Sequence, residues 1–343
     1  MTGENGAGKT SLVEALYLAC LGASPRTTRD AEIVGRGASA LHIELDLDGP
    51  AGLQRRGIGI APRQGRRLSI NGELASSLRA WRAVGSALVF VPDELRAVKG
   101  PPAARRRHLD RLLEAAAPGY ATALSAYQEA LVQRNALLRR IRAGLTGAEG
   151  LDPWDAQLAR YGAIVATART VGVDALRTPF AHYLAALGGA DGGELRLECS
   201  PRERNTVDSD DTETSMRDEL RDRRTADIRA AQTLLGPHRD DLFIGAAGVD
   251  LRRLGSQGEQ RTAVLALLLA HCDHLASTNA QPILILDDGL SELDPGRRER
   301  LLSNIGRHGQ AIVTSADPGT AELAGSVDAQ LITVRDGHVA TSP

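Results

Sequence analysis

Residues 1–20 of the chain read MTGENGAGKTSLVEALYLAC, and this stretch decides the fold class. The segment GENGAGKT matches the pattern G-x-x-x-x-G-K-[ST] of a phosphate-binding loop (P-loop) that opens a helix. In such a loop the backbone N–H groups face nucleotide phosphates, the lysine reaches the β/γ oxygens, and the threonine hydroxyl ligates Mg²⁺. The alternative is a glycine-rich turn that contains Lys-Thr by chance. The sequence therefore predicts ATP and Mg²⁺ as cofactors, held by Gly3, Glu4, Asn5, Gly6, Ala7, Gly8, Lys9, Thr10 and Ser11.

The start of the chain raises a separate expectation. A P-loop normally follows a buried strand, yet only Met1 and Thr2 precede Gly3. Removing a central parallel strand leaves its neighbours without hydrogen-bond partners and uncovers apolar surface, at a cost comparable to the stability of a small domain. We therefore expect the sequence as given to be a truncated or mis-started version of a longer protein.

Composition limits the classes of protein that the chain can belong to. Its 343 residues, 42% hydrophobic and 24% charged, are typical of a globular protein with room for two domains. No apolar run is long enough for a membrane span, and no secretion signal begins the chain. The three cysteines, Cys20, Cys199 and Cys272, lie far apart, which favours a reducing cytoplasm over a zinc site. A net charge of −2 means that any DNA-binding surface is a local patch.

The order of predicted elements is α/β, then helical, then α/β. A helix at 11–22 is followed by short strands from 41 to 92, including an Asn71-Gly72 turn, and by helices from 101 to 190. A strand at 195–199, a polar loop at 208–215 and a helix at 215–234 come next. The final part alternates helices and strands, with one strand at 329–339. Such alternation at both ends predicts one shared, mostly parallel sheet with the helical block inserted.

A second motif is the apolar strand ILILDD at residues 283–288. A buried parallel strand delivers the residues that follow it to the carboxyl edge of the sheet, where ligands bind. There, Asp287 is expected to hold Mg²⁺, and Asp288 is the candidate catalytic residue that orients or deprotonates the attacking water. The alternative, two solvated acids that begin a loop, becomes less attractive beside a P-loop.

A third motif, SQGEQ at 256–260, resembles the signature of ABC-type ATPases, and SELD at 291–294 resembles their D-loop. In isolation SQGEQ is explained equally well as a helix cap. The resemblance implies that the signature binds the γ-phosphate of ATP held by the P-loop of a second copy. The residues implied are Ser256, Gln257, Gly258 and, in the D-loop, Asp294. In these ATPases a switch residue follows the next strand, and here Thr314 or Ser315 takes that position; no Q-loop glutamine is identifiable.

Nearly the whole chain resembles the RecF family of bacterial recombination mediators, which are related to SMC-type ATPases. The similar segments include VFVPDELRAVKGPPAARRRHLDRLL, YATALSAYQEALVQRNALLR, GPHRDDL and ILILDDGLSELD, in the order of the family. The resemblance implies an ABC-type ATPase head (lobe I) at 1–95 and 236–343, and a mainly helical insertion (lobe II) at 96–235. It further implies ATP-dependent homodimers, slow hydrolysis, and binding of duplex, gapped or junction DNA. RecO, RecR and, indirectly, RecA are the implied partners, without a membrane.

Two arginine clusters are candidates for DNA contacts. Arg105, Arg106 and Arg107 lie near a helix start, and Arg221, Arg223 and Arg224 lie on another helix. Clustered arginines bind phosphates without sequence preference, but helix faces that pair with neighbouring acids have the same composition. For the second cluster, where acids alternate with arginines, pairing is the favoured interpretation. His238 beside Asp240 and Asp241 is interpreted as a hydrogen-bonding residue rather than a metal ligand, with Arg239 bracing the sheet or a dimer interface.

Two other functions share parts of this pattern. A transporter's nucleotide-binding subunit has the same three motifs, but the helical insertion and the missing switch histidine argue against it. An interaction protein that keeps the fold without binding nucleotide is the other alternative, given the short segment before the P-loop. A weak, DNA-stimulated ATPase is expected of the full-length family.

Overall fold

The structure is a computed structural model with two compact units. Unit 1 comprises Met1–Asp93 and Leu275–Pro343, and unit 2 comprises Glu94–His274. The residues that it describes are 1–27, 29–35, 37–49, 52–62, 64–78, 81, 87–117, 119–199, 209–277, 282–291, 293–317, 319 and 329–341. Residues 236–274, which the motifs assign to the ATPase head, lie in unit 2. The assignment of 1–95 and 236–343 to one head, with 96–235 as an insertion, therefore stays a prediction.

The described elements are numbered in chain order. The helices are α1 (Lys9–Leu21), α2 (Asp30–Ile33), α3 (Arg96–Lys99), α4 (Pro102–Ala116), α5 (Tyr120–Arg142), α6 (Leu151–Ala186), α7 (Ser209–Asp222), α8 (Arg224–Ala230), α9 (Leu251–Leu254), α10 (Gln257–Ser277) and α11 (Pro295–Ile305). The strands are β1 (Leu41–Gly49), β2 (Gly52–Ala61), β3 (Gly65–Ile70), β4 (Glu73–Leu74), β5 (Ala87–Phe90), β6 (Gly193–Glu198), β7 (Asp241–Ala246), β8 (Val249–Asp250), β9 (Ile283–Leu286), β10 (Ala311–Val313), β11 (Ile332–Arg335) and β12 (His338–Thr341).

A parallel sheet joins the two ends of the chain in unit 1. Strand β9 lies between β5 and β10, with Leu284 opposite Leu88 and Ile285 opposite Ile312. Strands β5 and β9 are apolar throughout because both faces of the sheet are covered. The prediction that both ends of the chain contribute to one parallel sheet is confirmed for these strands.

Met1 and Thr2 lie beside β10 and the residues that follow it. The Met1 amino group donates to the carbonyl of Val313 at 2.7 Å, and the N–H of Ser315 donates back to the Met1 carbonyl at 3.0 Å. Thr2 also exchanges hydrogen bonds of 2.8 Å with the backbone of Ile332 and Val334. Thr2 therefore forms parallel bridges on both sides, to Ser315 and to Thr333, at the position where a strand would lead into the P-loop.

Helix α1 packs against two sheets. One apolar cluster comprises Val13, Tyr17, Cys20, Ala87, Val89, Val91 and Ile285, and so joins α1 to the parallel sheet. Another comprises Leu18, Val34, Ile58, Ile60 and Trp81, and so joins α1 to the antiparallel sheet of β1, β2, β3 and β4. Each large apolar side chain buried in this way contributes about 1.5–3 kcal/mol. Burial on several faces explains why α1 lacks a polar stripe.

The turn between β3 and β4 shows the expected turn chemistry. Asn71 and Gly72 have φ angles of 53° and 86°, so the predicted turn between β3 and β4 has the left-handed residues of a tight hairpin.

Two sequence-based predictions are wrong. The single strand expected at 329–339 is a hairpin of β11 and β12, because Asp336 and Gly337 both adopt positive φ, at 50° and 78°, and reverse the chain. The polar loop expected at 208–215 is mostly helix α7; residue 208 lies outside the described residues. Acidic composition hid a buried stripe at helical spacing, formed by Thr212, Met216 and Leu220.

Unit 2 is mainly helical, with the antiparallel sheet β6-β7-β8 beside the helices. One apolar cluster in this unit comprises Tyr127, Ala130, Leu158, Ala159, Met216, Leu220 and Leu235, from α5, α6, α7 and the segment after α8. The middle of helix α10, from Ala263 to Leu269, is apolar on all sides and buried. Among the described residues, no helix combines the length and hydropathy needed to cross a membrane.

A buried ion-pair network ties the helices of unit 2 together. The fully buried Arg134 on α5 donates to Asp155 on α6 and to Asp227 on α8, both at 2.6 Å. Its guanidinium also donates to the hydroxyl of Thr233 at 2.8 Å. Asp155 accepts a further hydrogen bond of 2.8 Å from Arg224. The network therefore links three helices through one guanidinium.

Arg134→Leu should destabilise unit 2, because it leaves the buried Asp227 without its cation and the buried Asp155 with Arg224 alone. The expected loss in free energy of unfolding is about 3–5 kcal/mol, measured by denaturant unfolding. Arg140→Leu on the same helix removes an exposed arginine and should change stability by less than about 0.5 kcal/mol. Equal losses in the two variants would contradict a structural role for the network.

Candidate nucleotide-binding site

The P-loop wraps around the side chain of its lysine. The Lys9 ammonium donates to the carbonyls of Gly3 at 2.7 Å and Glu4 at 2.9 Å. A Cβ at Gly3 would lie only 2.3 Å from the carbonyl oxygen of Val334, so the loop can approach β11 only with glycine there. Gly8, with φ of 105°, begins the helix in a conformation that favours glycine. The glycines of the motif therefore have identifiable backbone roles.

The first turn of α1 is open to an anion. No described side chain caps this helix, and Thr10 and Ser11 at its start are exposed. The first N–H groups of a helix lack partners within the helix and carry the positive end of its dipole, so they bind phosphate oxygens well. The exposed Glu4, Asn5 and Gly6 leave the loop accessible from solvent. This geometry fits the phosphates of a nucleotide.

Asp287 lies next to the P-loop threonine. Its backbone N–H donates to the carbonyl of Phe90 at 2.8 Å, which continues the pairing of β9 with β5. Its Oδ1 atom accepts hydrogen bonds from the hydroxyls of Thr10 at 3.3 Å and Thr314 at 2.7 Å. The structure thus brings together two residues that are 277 positions apart and were both predicted as Mg²⁺ ligands.

This donor set fits Mg²⁺. The ion prefers oxygen ligands and usually takes only one or two from protein, with water and substrate phosphates completing its shell. A threonine hydroxyl and a carboxylate beside an open phosphate site meet that requirement. In the described part of the chain, no group of three or more His, Cys, Asp or Glu residues forms a larger metal site. Burial also raises the pKa of the Cys20 thiol to about 11, so it stays protonated at neutral pH.

Asp288 has a strained backbone at the edge of the sheet. Its φ angle is 53°, which non-glycine residues adopt rarely and at a cost of about 1–3 kcal/mol. Its N–H donates to the Thr314 hydroxyl at 3.0 Å, and its carbonyl accepts from the Ser291 hydroxyl at 3.0 Å. Strain of this kind is frequent at functional sites. The sequence motifs do not predict this backbone strain.

The signature residues lie in unit 2, at the start of α10. The N–H of Ser256 donates to the Glu259 carboxylate at 2.8 Å, and the Ser256 hydroxyl accepts from the N–H of Glu259 at 3.3 Å. These reciprocal bonds are a capping box, so the helix-cap interpretation is correct for this chain by itself. Ser256 and Gln257 are exposed, and Gly258 is partly exposed. They remain available to a second molecule.

The predicted D-loop residue Asp294 caps α11. Its Oδ1 atom accepts a hydrogen bond of 2.9 Å from the N–H of Arg297, and this bond holds the pKa of Asp294 below its ordinary value. Ser291, the first residue of the motif, contacts the backbone of Asp288. Glu292 lies outside the described residues.

The first arginine cluster is not the exposed patch that its sequence suggests. Arg105 is buried, and its guanidinium donates to Asp241 at 2.7 Å, so for this residue the structure shows pairing with an acid rather than an arginine open to DNA. Arg106 is partly buried and donates to the carbonyl of Asp240 at 2.6 Å. Only Arg107 of the three is exposed. The first turn of α4 places Arg105 next to β7, where the carboxylate of Asp241 neutralises its charge.

The second arginine cluster pairs with acids, as favoured from the sequence. Arg224 lies 2.6 Å from carboxylate oxygens of both Asp152 and Asp155, and Arg221 lies 3.8 Å from Asp152. Arg223 is exposed.

His238 is a hydrogen-bonding residue. Its Nε2 atom lies 3.1 Å from the carbonyl of Thr233, so it carries the proton, and its Nδ1 atom accepts from the Tyr127 hydroxyl at 2.6 Å. Both ring nitrogens are therefore occupied, which excludes a metal in this arrangement. Arg239 is exposed, and no described residue pairs with its side chain.

Sequence reasoning missed the support that the β11–β12 turn gives to the P-loop. The N–H of Gly337 donates to the carbonyl of Ala7 at 2.9 Å, and its Cα lies close to Gly8. The Asp336-Gly337 pair is a recognisable turn signal, which the single-strand interpretation of 329–339 overlooked. Its contact with the P-loop has no signal in the sequence, because it depends on the order of strands in the folded unit.

Curated relatives cover most of the chain, although no protein-family model matches it. The DNA replication and repair protein RecF of Frankia alni is 38% identical over 339 residues, which span 95% of this chain and 89% of the relative. The protein of the same name from Pelotomaculum thermopropionicum is 37% identical over 321 residues, 92% of this chain and 86% of the relative.

Solved structures are similar over the same extent. A structure of the recombination mediator protein RecF with ATP in the RecFOR pathway has a TM-score of 0.85 and 26% identity, and covers all of this chain and 90% of its own. An Smc head domain from Pyrococcus furiosus, with a TM-score of 0.56 and 16% identity, shares the fold alone. The chain is therefore an ABC-type ATPase in fold and belongs to the RecF family of DNA replication and repair proteins.

Proposed function

We propose that this chain is an ATP-dependent DNA-binding protein of recombinational repair and replication-fork maintenance. The observation that carries the proposal is the cluster of Lys9, Thr10 and Asp287 beside the open start of α1. These groups supply a cation for phosphates and oxygen ligands for Mg²⁺ within one compact unit. The similar structure that contains ATP supports nucleotide binding here as well.

The residues divide the work in hydrolysis. Backbone N–H groups of residues 6–11 and the Lys9 ammonium hold the β and γ phosphates in place. Thr10 and Asp287 would hold Mg²⁺, which when bound offsets charge on the phosphate oxygens. Asp288, whose backbone has a φ of 53° at the edge of the sheet, orients or deprotonates the water. Slow hydrolysis that responds to DNA is what the family resemblance implies.

ATP binding drives formation of a homodimer. The start of α10 contacts the γ-phosphate held by the second copy, through the exposed Ser256 and Gln257 and the partly exposed Gly258. Asp294 lies in the D-loop of each chain. In the single chain, Glu259 caps the start of this helix together with Ser256. Dimerisation therefore gates DNA binding.

The dimer binds duplex, gapped or junction DNA by contacting the sugar-phosphate backbone of the DNA. Aromatic residues make up only 3% of the chain, which disfavours base stacking on single strands. In the first arginine cluster the exposed Arg107 is the group available to a phosphate. RecO and RecR act with this protein, and RecA loading follows, in keeping with the RecFOR pathway of the similar structure.

Lys9→Ala should weaken ATP binding by roughly 10- to 100-fold, because it removes a charged hydrogen-bond donor to the phosphates. Equilibrium titration with a fluorescent ATP analogue measures the effect. The only other lysine in the chain offers a matched control, and Lys99→Ala should bind like the unaltered protein. If the unaltered protein binds no nucleotide, the chain is an interaction protein and the proposal fails.

Arg107→Ala should weaken DNA binding and reduce the slope of log affinity against log salt by roughly 0.9, the value for one phosphate contact. Fluorescence anisotropy with a gapped duplex, in the presence of ATP and at several salt concentrations, measures the slope. Arg229→Ala removes an exposed arginine elsewhere in unit 2 and serves as the control. An unchanged slope in Arg107→Ala removes this residue from the DNA-binding surface.

A further inference from the structure

Thr314 connects the two acids of the candidate site. It follows β10 and is fully buried, and its N–H donates to the carbonyl of Leu286 at 2.9 Å. This bond extends the pairing of β9 with β10 to the position immediately before Asp287. The Thr314 backbone is therefore held by the sheet itself.

The Thr314 hydroxyl makes one bond in each direction. It donates to Oδ1 of Asp287 at 2.7 Å and accepts from the N–H of Asp288 at 3.0 Å. A hydroxyl has a single proton, and here the carboxylate receives it. In this arrangement the proton is not available to a γ-phosphate, which differs from the switch role expected from the sequence.

We propose that Thr314 is a positioning residue that sets the orientation of the Asp287 carboxylate and the backbone of Asp288 together. This inference rests on the proposed function, in which Asp287 holds Mg²⁺ and Asp288 acts on water. Ser315, whose hydroxyl accepts from the N–H of Asp317 at 3.0 Å, keeps the expected position of the switch residue.

The two hydroxyls on Asp287 differ in a way that suits metal binding. Thr10 contacts Oδ1 through a long hydrogen bond of 3.3 Å, whereas Thr314 makes a short one of 2.7 Å to the same atom. Thr10 can therefore turn its oxygen toward a cation while Thr314 still holds the carboxylate. Among the described residues none donates to Oδ2 of Asp287, which leaves Oδ2 as the oxygen that would bind Mg²⁺.

Thr314 also supports the strained backbone of Asp288. Positive φ in a non-glycine residue persists only where surrounding groups hold it, and the Thr314 oxygen receives the N–H of this residue. A β-branched side chain has a restricted χ1 angle, so threonine presents its hydroxyl in a fixed direction. Valine has the same shape without the hydroxyl, and serine has the hydroxyl without the methyl group.

Direct metal binding tests the proposal. The full chain is saturated with a non-hydrolysable ATP analogue and titrated with Mn²⁺, followed by electron paramagnetic resonance. Thr314→Val should bind Mn²⁺ roughly 10- to 100-fold more weakly, the usual effect of removing a hydrogen-bond partner of a metal ligand. Binding of the analogue in EDTA should not change, since Thr314 does not contact the nucleotide. A γ-phosphate switch would instead weaken binding of the analogue without metal.

Three further variants keep the result interpretable. Thr333→Val, in the neighbouring strand β11, removes a hydroxyl that contacts neither acid and should behave like the unaltered protein. Thr314→Ser and Thr314→Ala both lose the methyl group, so their comparison isolates the hydroxyl even if Thr314→Val fails to fold. Equal Mn²⁺ affinity in these two variants, or in Thr314→Val and the unaltered protein, overturns the positioning role. Absence of analogue binding in the unaltered protein overturns the proposed function instead.

Discussion

The parallel pairing of β9 with β5 on one side and β10 on the other is the constraint on which the candidate site depends. It joins Leu284 to Leu88 and Ile285 to Ile312, across nearly 200 residues in the first pair. Because parallel strands end at the same edge, the residues after β9 and β10 meet there. Asp287, Asp288 and Thr314 are consequently neighbours, and their hydrogen bonds continue the ladder of the sheet.

The P-loop is held at this edge from several directions. Helix α1 is fixed by apolar packing against both the parallel and the antiparallel sheet. The loop itself is bonded to the β11–β12 turn through Gly337, and the two residues before it pair with the strands on either side. A phosphate site built from backbone N–H groups needs such support, since its geometry is only as rigid as the chain that forms it. Preorganisation of this kind lowers the cost of ordering the loop around a ligand.

Much of the site was predictable because its chemistry lies in short motifs. The P-loop pattern predicts the glycine positions and Lys9, and the apolar strand before Asp287 predicts an acid at the sheet edge. The Asn71-Gly72 turn is a local signal of the same sort. The failures have physical causes as well. The acidic residues in the first turns of α7 concealed a buried stripe, and Arg105 is neutralised by Asp241, which follows it by 136 residues.

The sequence by itself determined that the chain has a P-loop, a signature segment and paired acids on an α/β framework, because each depends on residues adjacent along the chain. Only the tertiary structure decided which groups meet. It gave Asp287 its two hydroxyl partners, placed Asp288 in a strained conformation, and buried Arg105 while Arg107 stayed exposed. These outcomes depend on distances between segments far apart in sequence, and strand pairing and side-chain packing set those distances.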